Sequence, residues 1–247
     1  MNGSLSTIKA GIGFFTTIPV GIDVEGMQKL SLNTYVFPLV GAIIGLLVGC
    51  IGIVLSHLPP YLFSALLIFI LYLVTGLNHL DGLMDFGDAL LTHNTVEEKI
   101  RVMRDPSVGV GGIVFCVVSL LILFSAITTL QQNILFAILA AEICAKQSMV
   151  TAAMFGSSMH KGLGSIFIDN VTMRDFLIGL IFSMIICCLT LGIGGIIALF
   201  AALSSALIVV RISNHNFGGV SGDSLGATNE IGRILALIVG GSAWTLL

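Results

Sequence analysis

Seven long apolar runs constrain the fold of this chain more than any other feature. They cover roughly residues 35–56, 61–77, 108–130, 134–155, 176–191, 193–210 and 231–247. Most are close to the roughly 20 residues that an α-helix needs to cross a bilayer. Only 9% of the residues are charged, against about 25% in a typical soluble domain, and the mean hydropathy is +1.09. The sequence therefore predicts an all-α, polytopic integral membrane protein with about seven transmembrane helices, and it excludes a soluble enzyme or a nucleic-acid binder.

Three local features refine this topology. The apolar stretch 4–20 is short and contains Pro19 near its end, so we expect an interfacial or re-entrant segment there. The second run is expected to continue as helix past Gly76 towards Ala89, outside the membrane core. Glycines in the first run, GAIIGLLVG, favour close packing between helices.

The basic residues fall on one side of the predicted membrane. If the runs alternate in direction, one set of ends carries Lys9, Lys29, Lys99, Arg101, Arg104, Lys161, Arg174, Arg211 and Arg233. The opposite connections, near 57–60, 131–133 and 192–195, contain no Lys or Arg. The positive-inside rule then predicts a multi-pass protein of the cell (inner or plasma) membrane, with the N-terminus cytoplasmic and the C-terminus outside.

Acidic residues crowd on the same side, although topology does not require them. Asp81, Asp85 and Asp88 are spaced i, i+4 and i+7 in TGLNHLDGLMDFGDAL. On a helix they share one face within an arc of about 60°. Carboxylates so close repel one another unless a cation lies between them, and hard oxygen ligands suit Mg²⁺. The alternative is a solvated acidic helix end, which the lack of an interleaved basic residue disfavours.

A second segment, KIRVMRDPSVGVGG at 99–112, brings cations to the same side. Arg101 and Arg104 stand close to Asp105, and the glycines that follow Pro106 expose backbone N–H groups. Cations and a glycine-rich turn that leads into a helix fit phosphate oxygens. Positive-inside flanking charge would explain the basic residues alone, but it would not explain the aspartate.

A third segment, GGVSGDSLGATNE at 218–230, combines glycines with polar side chains. Such a loop can approach a ligand closely and cradle phosphate through backbone N–H groups, or it can be a plain connector. Its candidate residues are Gly219, Gly222, Asp223, Asn229 and Glu230.

Three further residues are weaker candidates. Lys146 lies four residues after Glu142 inside an apolar run, where charges are costly and mark functional sites unless they form a structural pair. Lys161 precedes a short glycine-bounded turn. His79 lies two residues before the first motif aspartate and is a candidate base or hydrogen-bond donor.

The ordered motifs resemble one family across nearly the whole chain. HLDGLMDFGDA at 79–89 resembles the HLDGLxDxxDA segment of cobalamin synthase, the adenosylcobinamide-GDP ribazoletransferase family. RVMRDPSVGVGG at 101–112 resembles its second signature, and GGVSGDSLGATNE at 218–230 resembles its C-terminal GGxTGDxxGAxxE signature. FFTTIPV at 14–20 and FPLVGAIIG at 37–45 resemble its N-terminal stretches.

The resemblance implies a membrane-bound, Mg²⁺-dependent transferase, with residues 1–247 as one membrane-embedded catalytic domain. An α-ribazole hydroxyl would attack the phosphate attached to cobinamide in adenosylcobinamide-GDP, releasing GMP and forming adenosylcobalamin. α-Ribazole phosphate would serve as an alternative acceptor and give the 5'-phosphate. The expected partners are these substrates and the lipid bilayer, with no nucleic acid; other enzymes of the cobamide pathway and self-association are open alternatives.

Carried over by position, the motif acids Asp81, Asp85 and Asp88 are assigned to Mg²⁺. Arg101 and Arg104 are expected to neutralise phosphate charge. The proton acceptor is left open between Asp105, Asp223 and His79. This chain departs from the family at two places, since Lys146 stands where Arg is expected and Ser221 replaces Thr.

Three other readings compete with this one. A CDP-alcohol phosphotransferase would carry Ala-Arg where this chain has Asp85-Phe86, and a polyprenyl transferase would have Asp directly after Asn78. A membrane transporter could use Glu142 and Lys146 as a relay, but it would leave the one-sided acidic motifs unexplained.

Overall fold

The computed structural model describes residues 3–93 and 95–245, and the all-α prediction is confirmed there. The only β-bridge in the described residues pairs Ser158 with Val220. A short 3-10 turn, Gln131–Asn133, precedes the eighth α-helix. The helices α1 to α12 are, in order, Gly3–Phe15, Val24–Ser31, Val36–Leu55, Pro60–Thr75, Asn78–Leu91, Val96–Met103, Val110–Thr129, Ile134–Phe155, Leu163–Ile168, Met173–Leu191, Ile193–Phe217 and Gly222–Thr245.

Five of these helices are individually long and apolar enough to cross a membrane: α3, α7, α8 with its preceding turn, α10 and α11. Helices α4 and α5 satisfy the same criterion only as a pair. The described residues therefore provide five helices that could cross a membrane, or six if the pair is one crossing, where the sequence predicts about seven. The predicted seventh run lies in α12, which is not among the five, and residues 246 and 247 lie outside the described residues.

The helix that we expected to run on past Gly76 is broken there, so that expectation was wrong. Gly76 has φ +70°, and the axes of α4 and α5 are bent by 98°. The carbonyl groups that the break leaves free are bonded by Thr17, which lies in the segment after α1. Its N–H donates to the Val74 carbonyl at 2.8 Å and its hydroxyl to the Leu73 carbonyl at 2.6 Å. The last carbonyls of α4 are thus bonded from outside the helix, and α5 leaves in a new direction.

Helix α8 is the centre of the fold and is buried along most of its length. The glycines of α3 pack directly on it, as predicted. A Cβ on Gly41 would lie 2.5 Å from the Glu142 carbonyl oxygen, and one on Gly45 would lie 2.7 Å from the Cα of Leu139. Small residues at these positions let the two backbones touch, which is how helices in membranes gain packing energy.

The N-terminal segment forms two short helices. The apolar α1 has 13 residues, which is too short for a crossing. The amphipathic α2 is capped by Asp23, whose carboxylate accepts the Gly26 N–H at 2.7 Å. An interfacial or re-entrant position for residues 4–20 stays a prediction.

Candidate active site

The first and third signature segments meet where α5 crosses α12. A Cβ on Gly82 would lie 3.0 Å from the Cα of Asp223, and one on Gly226 would lie 3.1 Å from the carbonyl oxygen of His79. The two glycines are therefore needed because the helix backbones are in direct contact. This crossing places Asp223 against the helix that carries Asp81 and Asp85, although the segments are far apart in the sequence.

The crossing gathers carboxylates without cations between them. The negative charges of Asp81, Asp223 and Asp88 all act on Asp85. Burial raises the pKa of Asp223 above its ordinary value, and the hydrogen bond from the Ser221 hydroxyl, at 3.3 Å, works in the opposite direction. Within the described residues, no Lys or Arg forms an ion pair with Asp81, Asp85 or Asp223. Such a cluster favours the binding of a cation.

Asp88 has a role that its spacing could not predict. Its carboxylate accepts the N–H of Gly109 at 2.7 Å and the N–H of Gly112 at 2.8 Å, which caps the start of α7. A Cβ on Gly112 would lie 2.6 Å from this carboxylate. The glycine turn that we expected to present N–H groups to phosphate therefore gives two of them to Asp88 in this conformation. Asp88 thus satisfies free N–H groups at the start of α7 from within the protein.

The carboxylates at the crossing fit a Mg²⁺ ion that protein and substrate bind together, rather than an ion enclosed by protein ligands alone. In the part of the chain that the structure describes, no three His, Cys, Asp or Glu side chains are grouped to hold a metal ion. Mg²⁺ is usually bound through one or two carboxylates, with substrate phosphates and water completing its shell. Asp81 is exposed and Asp85 is partly exposed, so both can supply oxygen to an ion that arrives with a diphosphate.

The basic segment after α6 lies at the surface. Arg101, Arg104 and Asp105 line a shallow depression of about 500 Å³. Arg101 pairs with Glu98 and keeps its side chain 75% exposed. Asp105 accepts the Ser107 N–H at 2.9 Å, and this bond holds the pKa of its carboxyl below the ordinary value. Within the described residues, no hydrogen bond of these side chains reaches α5 or α12.

Two loops close one edge of the crossing. The Val220 N–H donates to the Ser157 carbonyl at 2.8 Å, and the Met159 N–H donates to the Val220 carbonyl at 3.0 Å. A Cβ on Gly219 would lie 2.8 Å from the Cα of Met159, and one on Gly164 would lie 2.6 Å from the N of Gly222. Gly219 and Gly164 thus allow the segments to touch one another, while a Cβ on Gly222 would lie at an ordinary 3.8 Å from Gly164. Lys161 is exposed in the same loop.

The sequence reasoning missed His160 in this loop. Its charge acts on Asp223, and its Nδ1 is buried without a hydrogen-bond partner in the described residues. The only signal in the sequence was its place directly before Lys161, in a turn that by itself predicts little.

Beneath the crossing lies a buried network of charges between α8 and α12. Arg233 donates to Glu142 and to Glu230, and Lys146 lies 3.7 Å from the Glu142 carboxylate. Lys146 also donates to the Asn229 side-chain oxygen at 2.6 Å. All of these side chains are at most 1% exposed. The two cations and two anions balance, as buried ions must.

This network changes the interpretation of several predicted residues. Lys146, Asn229 and Glu230 were expected to contact substrate, and in this conformation their partners are protein groups. Arg233 was expected to flank a membrane span, which stays a prediction, but its whole side chain is buried within the protein. Tyr72, whose hydroxyl donates to Glu230 at 2.9 Å, could not be foreseen, since nothing in its own run is polar enough to mark it.

His79 lies between the network and the aspartates. Its ring stacks on Phe15 with centroids 5.8 Å apart, and it is only 8% exposed. Its Nδ1 is buried with no hydrogen-bond partner in the described residues. The charges of Lys146 and Arg233 both act on it. His79 therefore contacts the protein core rather than the open side of the crossing.

Comparison with known proteins identifies the family. The family model described as cobalamin-5-phosphate synthase matches residues 7–241. A Methanosarcina barkeri protein named adenosylcobinamide-GDP ribazoletransferase is 38% identical, with 100% of both chains covered. Proteins of the same name from Methanococcoides burtonii and Pyrococcus abyssi are 38% and 35% identical, covering 97% and 92% of this chain and 93% and 94% of their own. No solved structure matches the chain. The chain belongs to the cobalamin-5-phosphate synthase family.

Proposed function

We propose that this protein is an adenosylcobinamide-GDP ribazoletransferase, which catalyses the last step of cobamide nucleotide-loop assembly. It transfers the phosphocobinamide group of adenosylcobinamide-GDP to α-ribazole, giving adenosylcobalamin and GMP. With α-ribazole phosphate it gives the 5'-phosphate. One observation carries this proposal beyond the family assignment: the crossing of α5 and α12 brings Asp223 against the helix that carries Asp81 and Asp85, and the charges of Asp81 and Asp223 both act on Asp85.

The acidic crossing is the proposed diphosphate site. Asp81 and Asp85 would hold Mg²⁺, and Asp88, on the same helix, would support them by fixing the start of α7 against α5. The ion would neutralise charge on the diphosphate and so favour the departure of GMP. We assign no third protein ligand, because Mg²⁺ commonly completes its shell with phosphate oxygens and water.

The chain's own residues then position and neutralise the substrates. The exposed cations Arg101, Arg104 and Lys161 can neutralise phosphate oxygens that extend beyond the aspartates. Asp223, partly buried at the start of α12, would orient the attacking hydroxyl. Phosphoryl transfer needs little covalent participation by the protein, so positioning and electrostatics supply most of the catalysis.

We further propose that the crossing lies on the cytoplasmic side of the cell membrane, with the N-terminus inside and the C-terminus outside. Even without Arg233, the remaining basic residues stay on one side of the predicted spans. The substrates and the bilayer are the partners that this arrangement needs. Association with other pathway enzymes or with a second copy stays a separate prediction.

A product assay on the purified protein in detergent tests the function. The protein would receive adenosylcobinamide-GDP and α-ribazole with Mg²⁺, or with EDTA as the control, and the products would be identified by mass spectrometry. We expect adenosylcobalamin and GMP in equal amounts, and only with the metal. Turnover of a CDP-alcohol or a prenyl diphosphate instead would show that the acidic site was interpreted correctly and the substrate was not. Uptake of a solute into proteoliposomes without release of GMP would favour a transporter.

A further inference from the structure

The loop that carries His160 is fixed against the start of α12 by backbone contacts. The two hydrogen bonds between 157–159 and Val220 form the only bridge of the described residues. The close approach of Gly219 to Met159 leaves no space for a side chain. His160, the next residue, is therefore held near the start of α12 by the backbone, and its charge acts on Asp223.

The surroundings of His160 differ from those of a histidine that serves only the structure. A structural histidine normally satisfies its buried nitrogen with a hydrogen bond. Here Nδ1 is buried with no such partner in the described residues, and Nε2 makes no hydrogen bond there either. The ring is only partly exposed, and a Cβ on Gly162 would lie 3.5 Å from its Nε2. Its polar atoms are left without a structural role.

The proposed reaction needs a group that accepts a proton at this edge. The attacking hydroxyl must lose its proton as the new phosphate ester forms, and histidine is the side chain most often used for such transfers near neutral pH. The other candidates are placed less well. Asp105 is bonded into its own turn, and His79 is buried in the core.

We propose that His160 is the general base of the reaction and that the Asp223 carboxylate stabilises the positive charge that forms on its imidazole. This inference rests on the proposed function. The α-ribazole oxygen forms a bond to the phosphorus attached to cobinamide, and its proton passes to the imidazole of His160. The bond between that phosphorus and the GMP oxygen breaks, and GMP leaves with the electron pair. The charges of His160 and of Asp81 from α5 both act on Asp223 of α12, and Lys161 follows His160 in its own loop.

The test compares His160→Gln and His160→Gly with His215→Gln, a matched control on an exposed histidine of α11. We expect kcat of both His160 variants to fall by about 10²–10⁴-fold, the usual contribution of a general base, with KM changed little. Added imidazole should restore part of the activity of His160→Gly, and the low-pH limb of the kcat profile should disappear in His160→Gln. Thermal unfolding of each variant would show that the fold is retained.

The outcomes separate this inference from the function on which it rests. If the wild-type protein makes no adenosylcobalamin, the proposed function fails and the role of His160 fails with it. If the wild type is active and His160→Gln keeps kcat within a few-fold of it, only the role of His160 is overturned. A large loss of activity in a folded His160→Gly variant that imidazole does not restore, with an unchanged pH profile in His160→Gln, would also overturn it.

Discussion

Replacing Arg233 by Met should destabilise the protein more than any other single change of a cation. Arg233 is fully buried and bonds both Glu142 and Glu230. The change therefore removes the cation that both carboxylates share. Two buried carboxylates would then face one buried cation, Lys146. The Tyr72 hydroxyl would still donate to Glu230, but a neutral donor does not balance the excess negative charge.

The size of this effect follows from the burial of the network. Breaking a buried ion pair by removing one partner costs about 3–5 kcal/mol, because a charge is left uncompensated in a medium of low dielectric. For a chain of this length, 1 kcal/mol shifts the unfolding midpoint by about 2–4 °C. Arg233→Met should therefore lower the midpoint by roughly 6–20 °C.

Thermal unfolding in detergent, followed by circular dichroism, measures this shift. Arg211→Met is the matched control, since Arg211 is exposed on α11 and its replacement should move the midpoint by less than about 2 °C. Removing both charges in Glu142→Leu with Arg233→Leu should be milder than Arg233→Leu alone, because the buried charges that remain, Lys146 and Glu230, are opposite in sign and balance. If Arg233→Met unfolds within 2 °C of the Arg211→Met control (about the size of that control's own expected shift), the buried network does not stabilise the fold as we argue.

Three further predictions concern the crossing. Gly226→Val should separate α5 from α12, because its Cβ meets the His79 backbone at 3.1 Å, and we expect more than tenfold loss of turnover for an overpacking cost of about 1–3 kcal/mol. Asp88→Ala removes the cap of α7 and should cost about 1–2 kcal/mol of unfolding free energy in a thermal melt. Since burial raises the pKa of Asp223, its ionisation opposes folding at neutral pH. In EDTA, Asp223→Asn should therefore melt above wild type at pH 7.5, and the difference should shrink as the pH falls through the raised pKa.

Each of these has a result that contradicts it. Full activity of Gly226→Val would mean that the two helices need not touch. An unchanged melting point for Asp88→Ala would remove its capping role. A metal-free Asp223→Asn that melts below wild type at pH 7.5 would show that the carboxylate is stabilised by partners rather than strained by burial.

The membrane class, the helical fold and the positions of the acidic motifs could be predicted from the sequence, because each depends on local composition and spacing. Apolar runs report helices directly, and the spacing of Asp81 and Asp85 reports a shared face. The glycines of α3 could be interpreted in the same way, since small residues at helical spacing have a physical use in membranes.

The rest depended on contacts between distant segments. The break at Gly76 is satisfied by Thr17, which no local pattern links to it. The glycines before α7 suggested a phosphate cradle, but Asp88, far away in the sequence, already occupies two of their N–H groups. Arg233 looked like a flanking charge because its partner Glu142 lies on another helix. Pairing across the fold decides whether such a residue serves structure or substrate.

The most direct test of the account is turnover by Asp85→Asn and Asp81→Asn, measured in the product assay with adenosylcobinamide-GDP, α-ribazole and Mg²⁺. Glu25→Gln is the control, because Glu25 is an exposed acid of α2 outside the crossing. Membrane insertion and the melting point would be recorded for all three variants. We predict that both aspartate variants insert and fold but form no detectable adenosylcobalamin, while Glu25→Gln matches the wild type. Wild-type turnover by either folded aspartate variant would contradict the assignment of the active site to the crossing of α5 and α12.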